Sequence, residues 1–177
     1  MKKRITTLFL TIFIVAYSYG ENPRLAYHLS NPLGMYQKTG VKLEFRQNQT
    51  GLLFFVNQYY GNLPDYPGTQ LGMEGRLYLI PALNKRSEFF FYGKLLGGYQ
   101  QEREAYGDSF FAHAYVPGGM YYGLGGGIGK HINFNHFFIE FNGGLKGILS
   151  TAKQELPFYL AGPGSIIDLH FNLGFQL

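Results

Sequence analysis

The last thirteen residues of the chain, Ser165 to Leu177, read SIIDLHFNLGFQL. Ile167, Leu169, Phe171, Leu173, Phe175 and Leu177 are apolar, and Asp168, His170, Asn172, Gly174 and Gln176 alternate with them. A period of two sends successive side chains to opposite faces of an extended strand. This strand therefore has one bulky, unbroken oily face and one polar face. Its length suits the roughly 9–11 residues that a tilted strand needs to cross a bilayer. If other strands repeat the pattern, a closed barrel satisfies every backbone group and leaves no open edge in lipid.

Composition agrees with that reading. Charged residues make up 15% of the chain, against roughly 25% in soluble domains. Aromatics reach 18%, all Tyr or Phe, and there are 25 glycines, yet mean hydropathy is only −0.09. Alternation reconciles these values, since every second residue faces lipid and the rest are polar or small. There is no Cys, which removes disulfides, thiolate metal sites and Cys nucleophiles.

The first twenty residues read as a secretory signal peptide. Lys2-Lys3-Arg4 is a basic start, Ile5 to Tyr17 a short apolar run, and Ser18-Tyr19-Gly20 a small-residue cleavage site after Gly20. The apolar run is shorter than the roughly 20 residues of a spanning helix. Removing its three cations from the fifteen Lys and Arg leaves twelve basic residues against eleven acidic. The formal charge of +4 is thus no sign of nucleic-acid binding. The expected domains are a signal peptide over 1–20 and a barrel over 21–177.

Eight strands are expected: 24–30, 36–46, 51–60, 70–80, 89–100, 118–132, 136–149 and the final one. The clearest after the last is Val41, Leu43 and Phe45 against Lys42, Glu44 and Arg46. The first half of 51–60 is apolar on both faces, so its phase stays open. Connections at 47–50, 81–88 and 133–135 are short; those at 61–69, 101–117 and 150–164 are longer. The turn at 31–34 is short and departs from that trend. Short turns at one end and longer loops at the other mark an antiparallel up-and-down transmembrane barrel of the outer-membrane type.

An eight-stranded barrel is just wide enough for side chains to fill. Its polar face carries Lys42, Glu44, Arg46, Glu74, Arg76, Lys94, Glu140, Lys146, Asp168 and His170. Charges there need partners or water, so an ion-pair network filling the lumen is expected. The Gly face of 118–132 makes room for bulky neighbours. Asp168, His170 and Glu140 are also the candidates for acid/base chemistry. GLGGGIGK at Gly123–Lys130 fails the phosphate-loop spacing, since His131 follows the Lys where Ser or Thr belongs. Five His without a dense cluster predict no metal site, and no cofactor is expected. In the loop 101–117, Tyr106, Phe110, Phe111 and Tyr115 form either an interaction surface or part of an aromatic girdle.

SNPLG at Ser30–Gly34, KTGVKLEFR at Lys38–Arg46 and GPGSIIDLHFNLGFQ at Gly162–Gln176 together resemble the small outer-membrane β-barrel proteins of Bacteroidota-type bacteria. The resemblance covers 21–177 and implies recognition of the final strand by the barrel assembly machinery. The expected function is a porin-like integral barrel of the bacterial outer membrane, without a wide channel. Its partners would be outer-membrane lipid and an unknown surface ligand, with no nucleic acid. The alternatives are a lipid-modifying enzyme on the same barrel, or a soluble secreted barrel with the oily face inside.

Overall fold

The computed structural model describes residues 24–33, 38–60, 68–79, 86–101, 103–105, 114–116, 118–150 and 166–177. The segment 1–20, Tyr106, Phe110, Phe111, the side chain of Tyr115 and the connection 151–165 lie outside the described residues.

Ten strands follow one another: β1 (Arg24–Ser30), β2 (Lys38–Gln47), β3 (Thr50–Tyr59), β4 (Gly68–Tyr78), β5 (Ser87–Gln100), β6 (Arg103–Ala105), β7 (Ala114–Val116), β8 (Gly119–Phe134), β9 (Phe137–Ser150) and β10 (Ile167–Gln176). Eight of them close a barrel in the order β1-β10-β9-β8-β5-β4-β3-β2, every neighbouring pair antiparallel. The fold is thus all-β, an eight-stranded antiparallel up-and-down barrel. The 101–117 connection, read from its charge and composition as a loop, instead contains β6 and β7 paired as a separate two-stranded ribbon. Three-residue strands are too short for a period-two signal.

Turn chemistry sets the short end. Asn48 and Asn135 each begin a two-residue turn with positive φ, 52° and 60°. Asn tolerates this left-handed conformation better than most side chains. The β1–β10 seam has five register pairs, from Ala26 opposite Gln176 to Ser30 opposite Asn172. Just past it Asn31, at φ 49°, extends the seam. Its N–H donates to the Phe171 carbonyl at 2.6 Å, and its Oδ1 accepts from Phe171 N–H at 3.0 Å.

Alternation resolves into an outer and an inner surface. Val41, Leu71, Leu95, Leu124, Ile128 and Leu145 stand exposed on the outside. Tyr99 and Tyr122 sit toward the long-connection end; Phe89, Phe134, Phe137 and Phe175 sit toward the short-turn end. Inside, the phase of β3 is decided: Leu53, Phe55, Asn57 and Tyr59 are buried while Phe54 and Val56 are exposed. The lumen is therefore partly apolar. Leu53, Phe55, Leu96 and Tyr121 form one cluster, and Tyr78, Phe90 and Tyr92 another. Glycines make the room for these rings: a Cβ at Gly129 would run into the Phe90 ring, one at Gly174 into Phe138, and one at Gly144 would meet the Tyr92 hydroxyl at 2.6 Å.

Candidate functional site

The lumen collects the chain's chemistry. Of the ten residues read on the polar face, nine are buried: Lys42, Glu44, Glu74, Arg76, Lys94, Glu140, Lys146, Asp168 and His170. Arg46 is at the short-turn rim instead, its side chain 15% exposed. There its guanidinium makes a two-pronged pair with Glu88, at 2.6 and 3.0 Å, and stacks 3.6 Å from the centre of the Tyr78 ring. Arg46 keeps the lumen parity of Lys42 and Glu44 but lies one residue from the end of β2, at the mouth, and alternation says nothing about depth.

Arg76 is the centre of the short-turn half. Its Nη1 and Nη2 donate to Glu140 at 2.7 and 3.0 Å, and its Nε donates to Glu74 at 2.6 Å. Nη1 also lies 3.3 Å from Glu44 Oε2. One guanidinium thus serves three carboxylates, an arrangement its rigid five-donor fork permits and an ammonium does not. Further side chains reach the same carboxylates. Tyr78 O–H donates to Glu44 at 2.6 Å, Asn172 Nδ2 donates to Glu140 at 2.6 Å, and His28 Nε2 lies 2.9 Å from Glu44. His131 Nδ1 lies 3.4 Å from Glu140 while its Nε2 meets Asn133 Oδ1 at 2.9 Å. Multiple donors per carboxylate offset the desolvation of burying charge.

A second cluster lies further along the lumen. Lys94 pairs with Asp168 through Nζ and Oδ2, and Tyr92 O–H donates to the same oxygen at 3.1 Å. His170 Nε2 sits 3.1 Å from Asp168 Oδ1, and His170 Nδ1 sits 3.3 Å from Ser30 Oγ. With the proton on Nε2, the ring donates to Asp168 and accepts from Ser30. Sequence reading found no serine in a nucleophile context; the fold assembles a Ser-His-Asp chain from residues 140 positions apart. It does not make a working nucleophile here. Ser30 is 0% exposed, so no carbonyl reaches Oγ, and Asp168 is already engaged by Lys94 and Tyr92. Glu140, grouped with Asp168 and His170 from sequence, is committed to Arg76. Asp168→Asn is expected to lower stability by about 3 kcal/mol, because it strands the Lys94 ammonium in the lumen; the shift in urea midpoint measures it.

Sequence reading also missed Lys38, His131 and Tyr92 as lumen groups. Lys38 extends the even-numbered face of β2 past Lys42, and His131 extends the odd-numbered glycine face of β8, so register carried both signals. Among the described residues no group of three His, Asp or Glu is arranged to hold a metal ion. A cavity of about 650 Å³ opens at the short-turn mouth between Arg24, Arg86, Asn133, Asn135 and His136.

No protein-family model matches the chain, and no curated protein matches it. Among solved structures it is similar to the N-terminal β-barrel domain of Pseudomonas aeruginosa OprF, with a TM-score of 0.52 and 8% identity, covering 88% of this chain and 96% of that one. Neisserial surface protein A superposes with a TM-score of 0.43 and 8% identity, covering 88% and 93%, too loosely to bear on the argument. At such identity the likeness speaks to the fold alone.

Proposed function

We propose that the chain is an integral protein of the bacterial outer membrane, with a structural or surface-interaction role and a lumen filled by side chains rather than a wide pore. One observation carries this reading: the barrel is apolar outside and charged inside. Exposed Leu, Ile, Val and Phe side chains ring its outer wall, while Arg76, Glu140, Lys94 and Asp168 are buried. In water that arrangement exposes a large apolar surface; in lipid it is the stable one. The soluble alternative needs the oily face inward, and the burial pattern has it outward. The enzyme alternative has less support, since in the Ser30–His170–Asp168 chain Ser30 is 0% exposed and Asp168 is already engaged by Lys94 and Tyr92.

The rest of the reading belongs to the same proposal. The segment 1–20 would direct export and be cleaved, and the kinship to Bacteroidota-type barrels would rest on the three quoted motifs. The barrel assembly machinery would recognise β10, the strand that pairs with β1 to close the cylinder. Outer-membrane lipid would contact the apolar wall. The long connections, with Tyr106, Phe110, Phe111 and Tyr115, would present any surface ligand site.

Heat-modifiability with cell fractionation tests the proposal. A compact band in the outer-membrane fraction that shifts on boiling is expected, together with little conductance in planar bilayers. A soluble periplasmic protein without the shift would sink it. A sharper check is Leu124→Arg. Leu124 is exposed on the outer wall midway along β8, opposite Leu95. An arginine at the bilayer midplane costs about 2–4 kcal/mol and near the interface about 0–1. Lys130, outward on β8 near the short-turn end with its Nζ 5.4 Å from the Phe89 ring, marks where a cation is tolerated. Lys130→Arg is therefore expected to leave the urea midpoint in lipid vesicles unchanged while Leu124→Arg lowers it.

A further inference from the structure

The short-turn mouth of the barrel is a bowl of about 650 Å³. Alternation decides what lines it. Arg24 continues the inward parity of Ala26, His28 and Ser30 on β1, and Gln176 that of Asn172 on β10. Asn133 continues the inward parity of His131 on β8. Arg86, whose carbonyl accepts from Asn133 N–H at 2.7 Å, continues that of Phe90 and Tyr92 on β5. All four line the bowl. In the closed order of strands β1 and β5 are four places apart in either direction, so Arg24 and Arg86 stand on opposite sides of the mouth.

Charge at this mouth is unbalanced. Arg46, the register partner of Arg24, engages both oxygens of Glu88, at 2.6 and 3.0 Å. Glu44, Glu74 and Glu140 are taken up by Arg76 inside the barrel. Arg24 and Arg86 are exposed and form no ion pair among the described residues. Even with Glu88 and an α-carboxylate at Leu177 both counted, the guanidiniums of Arg24, Arg46 and Arg86 exceed the carboxylates described at this end. Amides stand between the two free arginines. Asn133 Oδ1 meets His131 Nε2 at 2.9 Å, which leaves the Asn133 N–H₂ for another acceptor, and Gln176 offers both a donor and an acceptor.

We propose that the short-turn mouth docks an acidic peptide, a segment of a partner protein that carries carboxylates spaced along an extended chain. A guanidinium fork matches a carboxylate with two parallel, charge-assisted hydrogen bonds. Arg24 and Arg86 lie on opposite sides of the mouth, so each takes a carboxylate of its own, and a single small oxyanion does not serve both. The amides of Asn133 and Gln176 between them suit the C=O and N–H groups of a peptide backbone. The bowl also has the volume of an ordinary ligand pocket, which runs from roughly 300 to 1,000 Å³. Its polar lining faces the barrel axis, whereas lipid headgroups lie outside the wall. The inference goes beyond the membrane role and needs only the closed barrel.

Calorimetric titration of the purified barrel with an end-blocked tetraglutamate peptide, in a maltoside detergent at low ionic strength, tests it. One saturable site is expected. Raising the salt from about 0.01 M to about 0.15 M is expected to weaken it, because the Debye length falls from roughly 30 to 8 Å. End-blocked tetraglutamine is expected not to bind. Arg24→Gln and Arg86→Gln are each expected to weaken binding about tenfold or more, since each guanidinium holds its own carboxylate. Both are expected to leave the urea midpoint unchanged, since neither arginine has an ion pair to lose. Lys130→Gln removes a cation from the outside of the same end and is expected to bind as the parent does. Absence of a saturable site overturns the proposal, as does equal binding of tetraglutamine, unchanged affinity in either arginine variant, or equal weakening by Lys130→Gln. Inorganic phosphate that displaces the peptide at equal concentration would reduce the site to one for a single oxyanion. Dimyristoyl phosphatidic acid in the micelles that displaces it would assign the site to a lipid headgroup, and either result also overturns the proposal. If an arginine variant does not fold, the two peptides and the two competitors still decide on the parent. A failed titration leaves the heat-shift result of the parent barrel untouched, so the two readings fail separately.

Discussion

Arg76→Met is expected to be among the most damaging single substitutions in the barrel, lowering stability by about 3–5 kcal/mol. The guanidinium donates to Glu74 and Glu140 and lies within ion-pair distance of Glu44, and the side chains of all four residues are 0–2% exposed. Removing it takes from three buried carboxylates the guanidinium that donates to or pairs with each of them, and breaking a buried pair from one side costs that much even for a single partner. Arg76→Lys keeps the charge but loses the fork that reaches both Glu140 oxygens, so an intermediate loss is expected. The informative companion is Arg76→Met combined with Glu44→Gln, Glu74→Gln and Glu140→Gln. If the single loss is uncompensated charge, the fourfold variant recovers most of it, because the groups act as one network and their effects are not additive. Urea midpoints of the three variants in vesicles give the ranking. A fourfold variant less stable than Arg76→Met would show that the cluster contributes through packing instead.

The second large effect is steric. Gly174→Leu is expected to block closure of the β9–β10 part of the wall, at about 3 kcal/mol or more. A Cβ at Gly174 would overlap the Phe138 ring. That ring cannot move aside, because it stacks on His131 with centroids 4.3 Å apart and meets His28 edge-on at 4.7 Å. Overpacking typically costs about 1–3 kcal/mol and more when the neighbour is held. Phe138→Ala by itself is expected to cost about 3–5 kcal/mol by leaving a void. Together, Gly174→Leu and Phe138→Ala exchange the volumes across the strand pair, and the double variant is expected to be more stable than either single one. The fraction of compact, heat-modifiable band after refolding reports this directly. Simple addition of the two losses would mean that Gly174 serves backbone conformation rather than the Phe138 ring.

Much of the barrel was legible because its signal is local. A side chain's face in a strand follows from its parity, and parity is written along the chain. The eight strands, the lumen-facing positions of Lys42, Glu74, Lys94, Glu140, Lys146 and Asp168, and the glycine face of β8 all follow from it. The reading stopped where parity carries no contrast. β3 is apolar on both faces in its first half, so only its pairing with β2 and β4 sends Leu53 and Phe55 inward. Arg46 has the right parity but the wrong depth, and β6 and β7 are too short to show a period.

What the sequence by itself determined is therefore the architecture: how many strands close the barrel, which end has the short turns and, β3 apart, which faces of the strands line the lumen. Only the tertiary structure decided which of those side chains meet. Arg76 finds Glu140 64 residues away, Lys94 finds Asp168 74 away, and Ser30 finds His170 140 away. These encounters depend on the register of eight strands and on the closure of β1 against β10, a property of the whole cylinder. Alternation sorts residues by face and says nothing about which charges meet across the lumen.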